Sequence, residues 1–554
     1  MRLNAWNRTL LPSAAIFLVI VALPLINISS DSEPSRVPSQ WSVWTASEME
    51  RVGKTDRPTP RGNVEIWVAG GEWAALQIVI TSGTEPVENV DVEASELIGP
   101  MHSTIPAATF VFYREHYLQV ERSSPDPGYG NRPLGKGWYP DALIPRLDSR
   151  TGRRTAGAIP SFPFNAVPNE NQPIWVDIHV PIGARPGLYR ASIQVSSNQG
   201  QIHIPVSLHV WGFSLPTKPT LKSSFGMHEP ALSDRRVHEV LLEHRVMPVN
   251  INPGDAREFQ QRLGLNTIAL RFWTHSDRNT CTMDPAATPA VIEAELAKYP
   301  PDLPIYVYSS DEVDPCPNLF QDIRGWGANM HSADPRIKNL VTIAPVRELY
   351  DDGNRTGRSA VDIWTMLPKL YDSASERVRF VQAKGDEVWS YTALVQDSYS
   401  PKWEIDFAPI NYRIQPGFLS QSLGLTGILY WRVDLWTDSP WRDVSGYREG
   451  GNVYPGEGML LYPGGEVGVD SVVPSIRLKW IRKGVEDYEY VAILKRLGRG
   501  DWAMSHIHRA ATDWKNWTQD PKVLESVRRE LGDEIEKLSS SRVVNLGSGN
   551  VAQR

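Results

Sequence analysis

A proline-rich joint at residues 215–222 divides this chain into two parts whose residue patterns differ. Before the joint, alternating apolar and polar segments such as VEIWVAGGEWAALQIVI are separated by Gly, Pro and Asn turns, which is typical of antiparallel β-structure. After it, short apolar runs alternate with helical patterns, as in a parallel sheet covered by helices. We therefore predict a multidomain chain, with an N-terminal antiparallel β-sandwich followed by an α/β domain.

The second part has enough predicted strands for a barrel. About eight strands over about 240 residues is what a (β/α)8 TIM-like barrel requires. A doubly wound sheet is the structural competitor, but no glycine-rich nucleotide fingerprint follows any strand. The predicted strands are residues 223–227, 245–250, 267–272, 305–308, 340–344, 361–364, 388–391 and 427–431.

Helical patterns follow the barrel region. In the first, PSIRLKWIRKGVEDYEYVAIL, apolar residues such as Ile481 and Val485 recur on one face and predict a docking helix. Its acidic residues are expected on a solvated face, although its arginines could instead pair with carboxylates across the barrel bottom. A later helix has Leu524, Val527 and Leu531 in its apolar stripe. The predicted domains are a sandwich at 41–214, a barrel at 215–470, C-terminal helices at 471–538 and a disordered tail at 539–554.

The N-terminus has the pattern of an export signal. Arg2 and Arg8 precede a stretch free of charge from residue 9 to residue 30, rich in Ile, Leu and Val. We predict a signal peptide or membrane anchor at residues 1–30 and a linker at 31–40. The body of the protein is then extracytoplasmic, either secreted or attached to the membrane through this segment.

Charge and cysteine content exclude several classes of function. With 57 Lys and Arg against 64 Asp and Glu, the net charge of −7 offers no surface for nucleic acid. No His/Cys cluster has metal-ligand spacing, so we expect neither a metal nor another cofactor. The two cysteines, Cys281 and Cys316, both follow predicted strands, and in an exported protein they could form one disulfide that braces a site.

The stretch PIYVYSSDEVDP, residues 304–315, holds the leading catalytic candidates. A short apolar run there ends in adjacent carboxylates, Asp311 and Glu312. Neighbouring side chains of a regular strand point to opposite faces, so the pair can serve one pocket only just past the strand end, where the chain turns. Barrel enzymes keep their chemistry at that end. The dipeptide alone proves little, because Asp386-Glu387 repeats it in what resembles a solvated loop.

Aromatic residues are numerous, with 20 Trp and 19 Tyr, many of them beside Gly, Pro or Asp. Flat aromatic faces rimmed by polar groups suit sugar rings, although strand-end aromatics serve barrel packing equally well. An arginine at a strand end also needs acceptors if it is buried. The candidate sugar contacts are Arg271, Trp364, Trp389, Tyr391, Tyr430 and Trp431, whereas His275 is read as an ordinary loop histidine.

Several segments together resemble glycoside hydrolase family 123 and the wider proteins that carry the domain of unknown function 4091. They are GWYPDALIP, PIWVDIHVPIGARPGLY, the strand-end Asp311-Glu312, VDIWTMLPKLYD, VWSYT, LTGILYW, LLYPG and PSIRLKWIRKGVEDYEYVAIL. The resemblance covers roughly residues 41–497. It implies a β-sandwich, a barrel and a retaining β-N-acetylgalactosaminidase that acts on a glycan or glycoconjugate.

The resemblance also implies substrate-assisted hydrolysis, in which the 2-acetamido oxygen of the sugar attacks the anomeric carbon. Asp311 would orient the acetamido N–H, and Glu312 would protonate the glycosidic oxygen and later deprotonate water. A conventional retaining enzyme instead needs two carboxyl groups about 5 Å apart, usually from different strands. Two alternatives stay open: a glycosidase of other specificity with Asp434 or Glu229 as second acid, and a non-catalytic surface protein that binds carbohydrate.

Overall fold

The structure, a computed structural model, describes residues 41–58, 64–272 and 274–548, with side chains through residue 540. The predicted signal or anchor at 1–30, the linker at 31–40 and the last residues of the predicted tail lie outside the described residues. Within the described ranges, no helix is both long enough and apolar enough to span a membrane.

Two packed sheets form the N-terminal part. Their strands are β1 (Trp41–Ser47), β2 (Val64–Gly70), β3 (Trp73–Ser82), β4 (Val87–Ala94), β5 (Leu97–Ile98), β6 (Thr104–Ile105), β7 (Phe110–Val120), β8 (Gly137–Pro145), β9 (Phe164–Ala166), β10 (Asn171–His179), β11 (Gly187–Ser197) and β12 (Gly200–Ser214). One sheet has the order β1-β3-β10-β7-β8 and the other β2-β12-β11-β4-β9, with β5 and β6 beside β11. Inward residues of both sheets, including Leu76, Val176 and Leu208, share one core.

The pairing in these sheets is antiparallel, as predicted, with one exception. Strand β2 pairs with β12 in parallel. The tight turn at Gly71, whose φ is +73°, joins β2 to β3, but the two strands belong to different sheets. Strand β2 therefore lies at the edge of the second sheet beside β12, and these two strands run in the same direction.

Parallel strands form the barrel-like second part. They are β13 (Lys222–Phe225), β14 (Ile268–Ala269), β15 (Ile305–Ser310), β16 (Lys338–Thr342), β17 (Ile363–Met366), β18 (Glu387–Tyr391) and β19 (Gly427–Tyr430). Their order, β13-β19-β18-β17-β16-β15-β14, makes a nearly closed ring. Around and after it lie α1 (Arg235–Glu243), α2 (Ala256–Arg262), α3 (Pro289–Leu296), α4 (Phe320–Ala333), α5 (Pro368–Ser373), α6 (Ser375–Lys384), α7 (Ile410–Ile414), a π-helical turn (Gln415–Leu419) and α8 (Ser420–Ser422).

The second predicted strand, at residues 245–250, is not a regular strand. Its segment still bridges the two edges of the ring, because Val249 N donates to Phe225 O at 2.9 Å and Ala269 N donates to Val249 O at 2.8 Å. Pro248 within it has no N–H and cannot complete a hydrogen-bonded ladder. Seven strands and this bridge therefore stand where eight strands were predicted.

The remaining elements follow the ring. They are β20 (Tyr447–Glu449), β21 (Asn452–Tyr454), β22 (Leu461–Pro463), β23 (Val472–Pro474), α9 (Ile476–Arg496), α10 (Gly500–Ile507) and α11 (Pro521–Ser548). The predicted apolar stripe of α11 is confirmed, since Leu524, Val527 and Leu531 are fully buried. The first part of the predicted disordered tail is helical, because α11 continues to Ser548 with no glycine or proline between residues 533 and 546 to stop it.

Helix α9 docks as predicted, but it has no solvated acidic face. Glu486, Asp487 and Glu489 are buried together with four basic residues of the helix, Arg477, Lys479, Arg482 and Lys483. Arg477 pairs with Asp141 of β8 at 2.8 Å, and other side chains of α9 pair with the sandwich and with α11. The predicted arginine–carboxylate pairing is confirmed, but the partners of Arg477 and Arg482 lie in the sandwich and not across the barrel bottom. A charged helix can be buried between two domains when each charge has a partner there.

Candidate active site

A cavity of about 860 Å³ lies where the parallel strands end. Its walls come from the segments after β14, β15, β17, β18 and β19 and from the hairpin of β20 and β21. Cavities of this size take small molecules or short glycans. Because the carboxyl ends of parallel strands meet at one edge, this is the position expected of a barrel active site.

Asp311 and Glu312 both line this cavity. Strand β15 ends at Ser310, so the pair follows the strand directly. Glu312 has a φ of +47°, in the left-handed region that non-glycine residues rarely adopt. This turn breaks the strand alternation, and consecutive carboxylates can therefore face the same cavity.

One oxygen of Asp311 is held firmly. Its Oδ1 accepts a hydrogen bond from Tyr308 Oη at 2.7 Å and one from Thr342 Oγ1 at 2.7 Å. Burial and the neighbouring Asp311 raise the pKa of Tyr308 well above its ordinary value, so this phenol remains a donor. Among the described residues, Oδ2 of Asp311 accepts no hydrogen bond. That oxygen is available to a ligand in the cavity.

Glu312 is held from two sides. Its Oε1 accepts a hydrogen bond from Tyr391 Oη at 2.7 Å, and its Oε2 forms an ion pair with Arg278. Its backbone N–H donates to Thr342 Oγ1 at 2.6 Å, so Thr342 links the two acids. Burial and the nearby Asp311 and Asp314 raise the pKa of Tyr391, which therefore keeps its proton.

A disulfide joins the two segments that carry Arg278 and Glu312. Cys281 and Cys316 are bonded, three residues after Arg278 and four after Glu312. The Cα atoms of the pair are 5.3 Å apart, and Asn318 Nδ2 donates to Cys281 O at 2.9 Å. The bond therefore braces the site, as the sequence suggested for an exported protein.

The predicted sugar contacts divide into two groups. Tyr391 and Trp431 line the cavity, and Trp431 is 36% exposed. Three others are fully buried and do not line it: Trp364, Trp389 and Tyr430. Arg271 is exposed rather than buried, and it does not line the cavity either.

The direction and depth of each side chain explain why the three buried aromatic residues do not line the cavity. Trp364 and Tyr430 point outward into the core between strands and helices. Trp389 points into the barrel but lies one layer below Tyr391, where its ring packs edge-on against Tyr306 at 5.6 Å. For Arg271 the cause is a shorter strand, because β14 ends at Ala269. As expected, His275 pairs with a loop acid, Asp284, outside the cavity.

Neither alternative second acid lines the cavity. Asp434 is buried, where it accepts from His228 N at 3.0 Å and pairs with Arg432 at 2.7 Å. Glu229 is exposed and accepts from Ser233 Oγ at 2.6 Å. Both choices are wrong as to position, since each follows a strand but turns away from the cavity.

The acid pair at Asp386-Glu387 is also not in a solvated loop. Glu387 starts β18 at the opposite end of the barrel, where it pairs with Lys222 and Lys338, each at 2.5 Å. Burial alone would raise the pKa of Glu387, but the two lysines lower it to about 2. This dipeptide has a structural role at the barrel bottom.

Sequence reasoning did not find several cavity residues. Tyr308 and Asp314 stand in the same stretch as the acid pair, so their position near the strand end was the available signal. Thr342 ends the observed β16 but lies in the middle of the predicted strand 340–344, so no such signal was available for it. Burial raises the pKa of Asp314 above its ordinary value. The charged, tyrosine and threonine residues of the cavity that were missed are Asp277, Arg278, Tyr308, Asp314, Thr342, Lys369, Tyr447 and Glu449. Among the residues that the structure describes, no cluster of acids, histidines or cysteines is arranged to hold a metal ion.

Two family models match the sequence. One describes the glycoside hydrolase 123 N-terminal domain and matches residues 52–197; the other describes the glycoside hydrolase 123 catalytic domain and matches residues 328–494. Together they span more than half of the 554 residues. The acid pair lies between the two matched ranges. No functionally curated protein matches this chain.

One solved structure supports the fold. A family 123 glycoside hydrolase from Clostridium perfringens, studied for glycolipid glycan hydrolysis, superimposes with a TM-score of 0.64 at 14% identity. The similarity covers 91% of this chain and 100% of that one. A β-glucuronidase from Parabacteroides merdae matches at 10% identity over 75% of this chain and 50% of its own, with a TM-score of only 0.27.

Proposed function

Because this chain belongs to glycoside hydrolase family 123, and is therefore an enzyme, we propose that it hydrolyses a β-linked 2-acetamido sugar by the substrate-assisted route. The sugar is of the N-acetylgalactosamine type, and the substrate is a glycan or glycoconjugate. The observation that carries this proposal is the pair Asp311 and Glu312, adjacent in sequence and open to the same cavity.

The hydrogen bonds of Asp311 support its role. Tyr308 and Thr342 fix Oδ1, which leaves Oδ2 as the acceptor for the acetamido N–H of a bound sugar. A hydrogen bond to this N–H makes the acetamido oxygen a better nucleophile toward the anomeric carbon. The carboxylate would also stabilise the positive charge of the resulting oxazolinium ring at close range.

Glu312 is the proposed acid and base. Tyr391 orients its carboxyl group, so that the proton passes to the leaving glycosidic oxygen in the first step and returns from water in the second. Arg278 pairs with the other oxygen of Glu312. Arg278 is 52% exposed on a loop, whereas Tyr391 is buried on a strand, so Arg278 is the partner that a substrate would displace.

A conventional two-carboxylate mechanism has weaker support. Asp434 and Glu229 lie away from the cavity, so a second acid would have to be Asp277, Asp314 or Glu449.

We also propose export and a complete eight-position barrel. The disulfide supports export, because such bonds persist outside the reducing cytoplasm. The hydrogen bonds of residues 247–249 to Phe225 and Ala269 support reading that segment as the second of eight strand positions in a (β/α)8 fold. Whether the N-terminal segment also anchors the protein to a membrane is tested by fractionating cells that express the full chain.

The function is tested by nitrophenol release from β-glycosides of N-acetylgalactosamine, N-acetylglucosamine and the matching 2-hydroxy sugars. Turnover should be confined to the 2-acetamido sugars, and Glu312→Gln should lower kcat by about 10²–10⁴-fold. Asp311→Asn should lower it comparably and should weaken inhibition by an acetamido-thiazoline mimic of the intermediate. The matched control is Glu293→Gln, on the exposed side of α3, which should leave kcat unchanged.

Other outcomes separate the alternatives. Turnover of 2-hydroxy sugars alone would overturn the assisted mechanism and favour a second carboxylate. Glycan binding without turnover of any substrate would favour the non-catalytic carbohydrate-binding protein.

A further inference from the structure

The segment Gly456-Glu457-Gly458 lies directly behind the cavity wall formed by Trp431. Trp431 Nε1 donates a hydrogen bond of 2.5 Å to Glu457 Oε1. The indole is partly exposed to the cavity, whereas Glu457 is only 1% exposed. A buried carboxylate therefore holds the edge of an aromatic ring whose other side faces the space where a sugar would bind.

The same carboxylate also contacts a second wall segment. Leu394 N donates to Glu457 Oε2 at 3.4 Å, and Leu394 lines the cavity in the segment after β18. Trp431 follows β19, the neighbouring strand of the barrel. One side chain thus ties together two adjacent parts of the cavity wall.

Gly458 leaves the space that the indole needs. A Cβ atom at this position would lie 3.0 Å from Trp431 Cζ2, and the φ of Gly458 is +69°. Tyr447 packs edge-on against the indole with ring centroids 5.6 Å apart. The ring is therefore held at its N–H by Glu457, at one edge by Gly458 and on another side by Tyr447.

We propose that Glu457 is a positioning residue that sets the orientation of Trp431, and that Trp431 so held binds the apolar face of a pyranose ring. This inference rests on the proposed glycosidase function and extends it to the sugar-binding wall. A carboxylate bonded to the indole N–H leaves the ring little freedom to rotate. A ring fixed in this way stacks on a sugar at a lower cost in conformational entropy.

The surroundings of Glu457 indicate which substitutions separate its hydrogen bond to Trp431 from its charge. Burial raises the pKa of Glu457 to about 7, against the opposing effect of its hydrogen bond from Trp431. Glu404 lies buried nearby, while Arg477 attracts the Glu457 charge. Both protonation states offer an acceptor to the indole, so a glutamine can keep that bond, whereas a leucine cannot.

The experiment compares four variants with the wild type. Glu457→Leu removes the acceptor, Glu457→Gln keeps it, and Trp431→Phe removes the donor while keeping an aromatic face. The matched control is Trp436→Phe, because Trp436 Nε1 donates to Leu461 O at 2.8 Å outside the cavity. The readouts are kcat and KM for a nitrophenyl glycoside, and the indole N–H resonances of protein labelled with ¹⁵N-tryptophan.

Loss of one resonance in Trp431→Phe assigns that residue among the 20 tryptophans. The Trp431 resonance should shift in Glu457→Leu and much less in Glu457→Gln. KM should rise by about tenfold in Glu457→Leu, as for loss of one hydrogen bond to a charged group, with a smaller change in kcat. Glu457→Gln should restore most of the affinity, and Trp436→Phe should change neither constant.

Three results would overturn the inference. An unmoved Trp431 resonance in Glu457→Leu would mean that the bond does not position the ring, and an unchanged KM would mean that the ring does not bind sugar. An equal rise of KM in Trp436→Phe would mean that the substitutions have a general structural effect. If Glu457→Leu does not fold, Trp431→Phe breaks the same bond from its exposed side and should raise KM as well.

The two proposals can fail separately. If the wild type hydrolyses no glycoside, titration of the labelled protein with N-acetylgalactosamine replaces KM. If the Trp431 resonance shifts on addition of the sugar, and shifts less in Glu457→Leu, the positioning role is supported even though the proposed hydrolase function is wrong. A resonance that does not respond would overturn the sugar-binding role.

Discussion

Tyr391, at the last inward position of β18, donates a hydrogen bond of 2.7 Å to Oε1 of Glu312, which follows β15, three places away in the barrel sheet. The two residues are far apart in sequence, and the barrel alone brings them together. This bond links the strand framework directly to the carboxyl group of the proposed acid.

Removal of the Tyr391 hydroxyl should impair the chemical step. We expect Tyr391→Phe to lower kcat by about tenfold with little change in KM, because the Glu312 carboxyl loses its orienting donor. Steady-state kinetics on the preferred glycoside measure both constants. The control is Tyr371→Phe, which loses a buried hydrogen bond to Leu423 O outside the cavity. A similar fall in both variants would contradict a specific role for Tyr391.

Thr342 should be needed for its hydroxyl rather than for its shape. Its Oγ1 bonds to Asp311 Oδ1 and accepts from Glu312 N. Thr342→Val should therefore lower kcat by at least about tenfold, whereas Thr342→Ser should retain most activity. Equal activity in the two variants would show that the hydroxyl does not hold the acid pair.

The disulfide should stabilise both the protein and its active-site loop. Cys281 and Cys316 are 35 residues apart in sequence, and a loop of this length predicts about 3–4 kcal/mol of stabilisation. The double variant Cys281→Ser/Cys316→Ser should lower the thermal midpoint. It should also lower kcat even well below that midpoint, because the segment that carries Arg278 loses its anchor. An unchanged kcat in folded protein would show that the disulfide contributes to stability and not to catalysis.

Glu115 should make the protein less stable as pH rises. Its carboxyl group is buried without a hydrogen-bond partner among the described residues, and burial raises its pKa from 4.5 to about 8 despite the opposing charge of Arg51. Between these two values the folded state binds more protons than the unfolded state. The free energy of unfolding should therefore fall with rising pH across this window, by up to about 1.4 kcal/mol per unit from this group.

Substitution Glu115→Gln should remove that contribution. Urea unfolding at pH 5 and pH 8 should show a smaller difference in stability for the variant than for the wild type. The exposed Glu293→Gln should leave the difference unchanged. An equal pH dependence in wild type and Glu115→Gln would mean that Glu115 ionises as freely as it does in the unfolded chain.

Trp364 should contribute to the stability of the protein and not to substrate binding. It is fully buried, with Nε1 donating to Asp386 Oδ2 at 3.0 Å on the helix side of β17. Trp364→Phe should cost about 1–3 kcal/mol in the free energy of unfolding and leave KM unchanged. A raised KM with unchanged stability would instead support the sugar contact that the sequence pattern suggested.

Residue patterns alone predicted the order of elements and the location of the acid pair. Alternation with frequent turns indicated the sandwich, and short apolar runs separated by helices indicated the parallel sheet. Both signals are local, since they depend on the period with which apolar side chains recur. The position of Asp311 and Glu312 just past β15 follows from the same local logic.

The tertiary structure decided which strand-end residues reach the cavity. Tyr391 and Trp389 belong to one strand and point inward, yet only Tyr391 lies in the layer that meets the cavity, while Trp364 and Tyr430 point away from it. The contacts of Glu312 with Arg278, and of Trp431 with Glu457, join segments that are distant in sequence. Sequence periodicity reports that a side chain is buried but not against what, because its neighbours are set by the closure and register of the whole barrel.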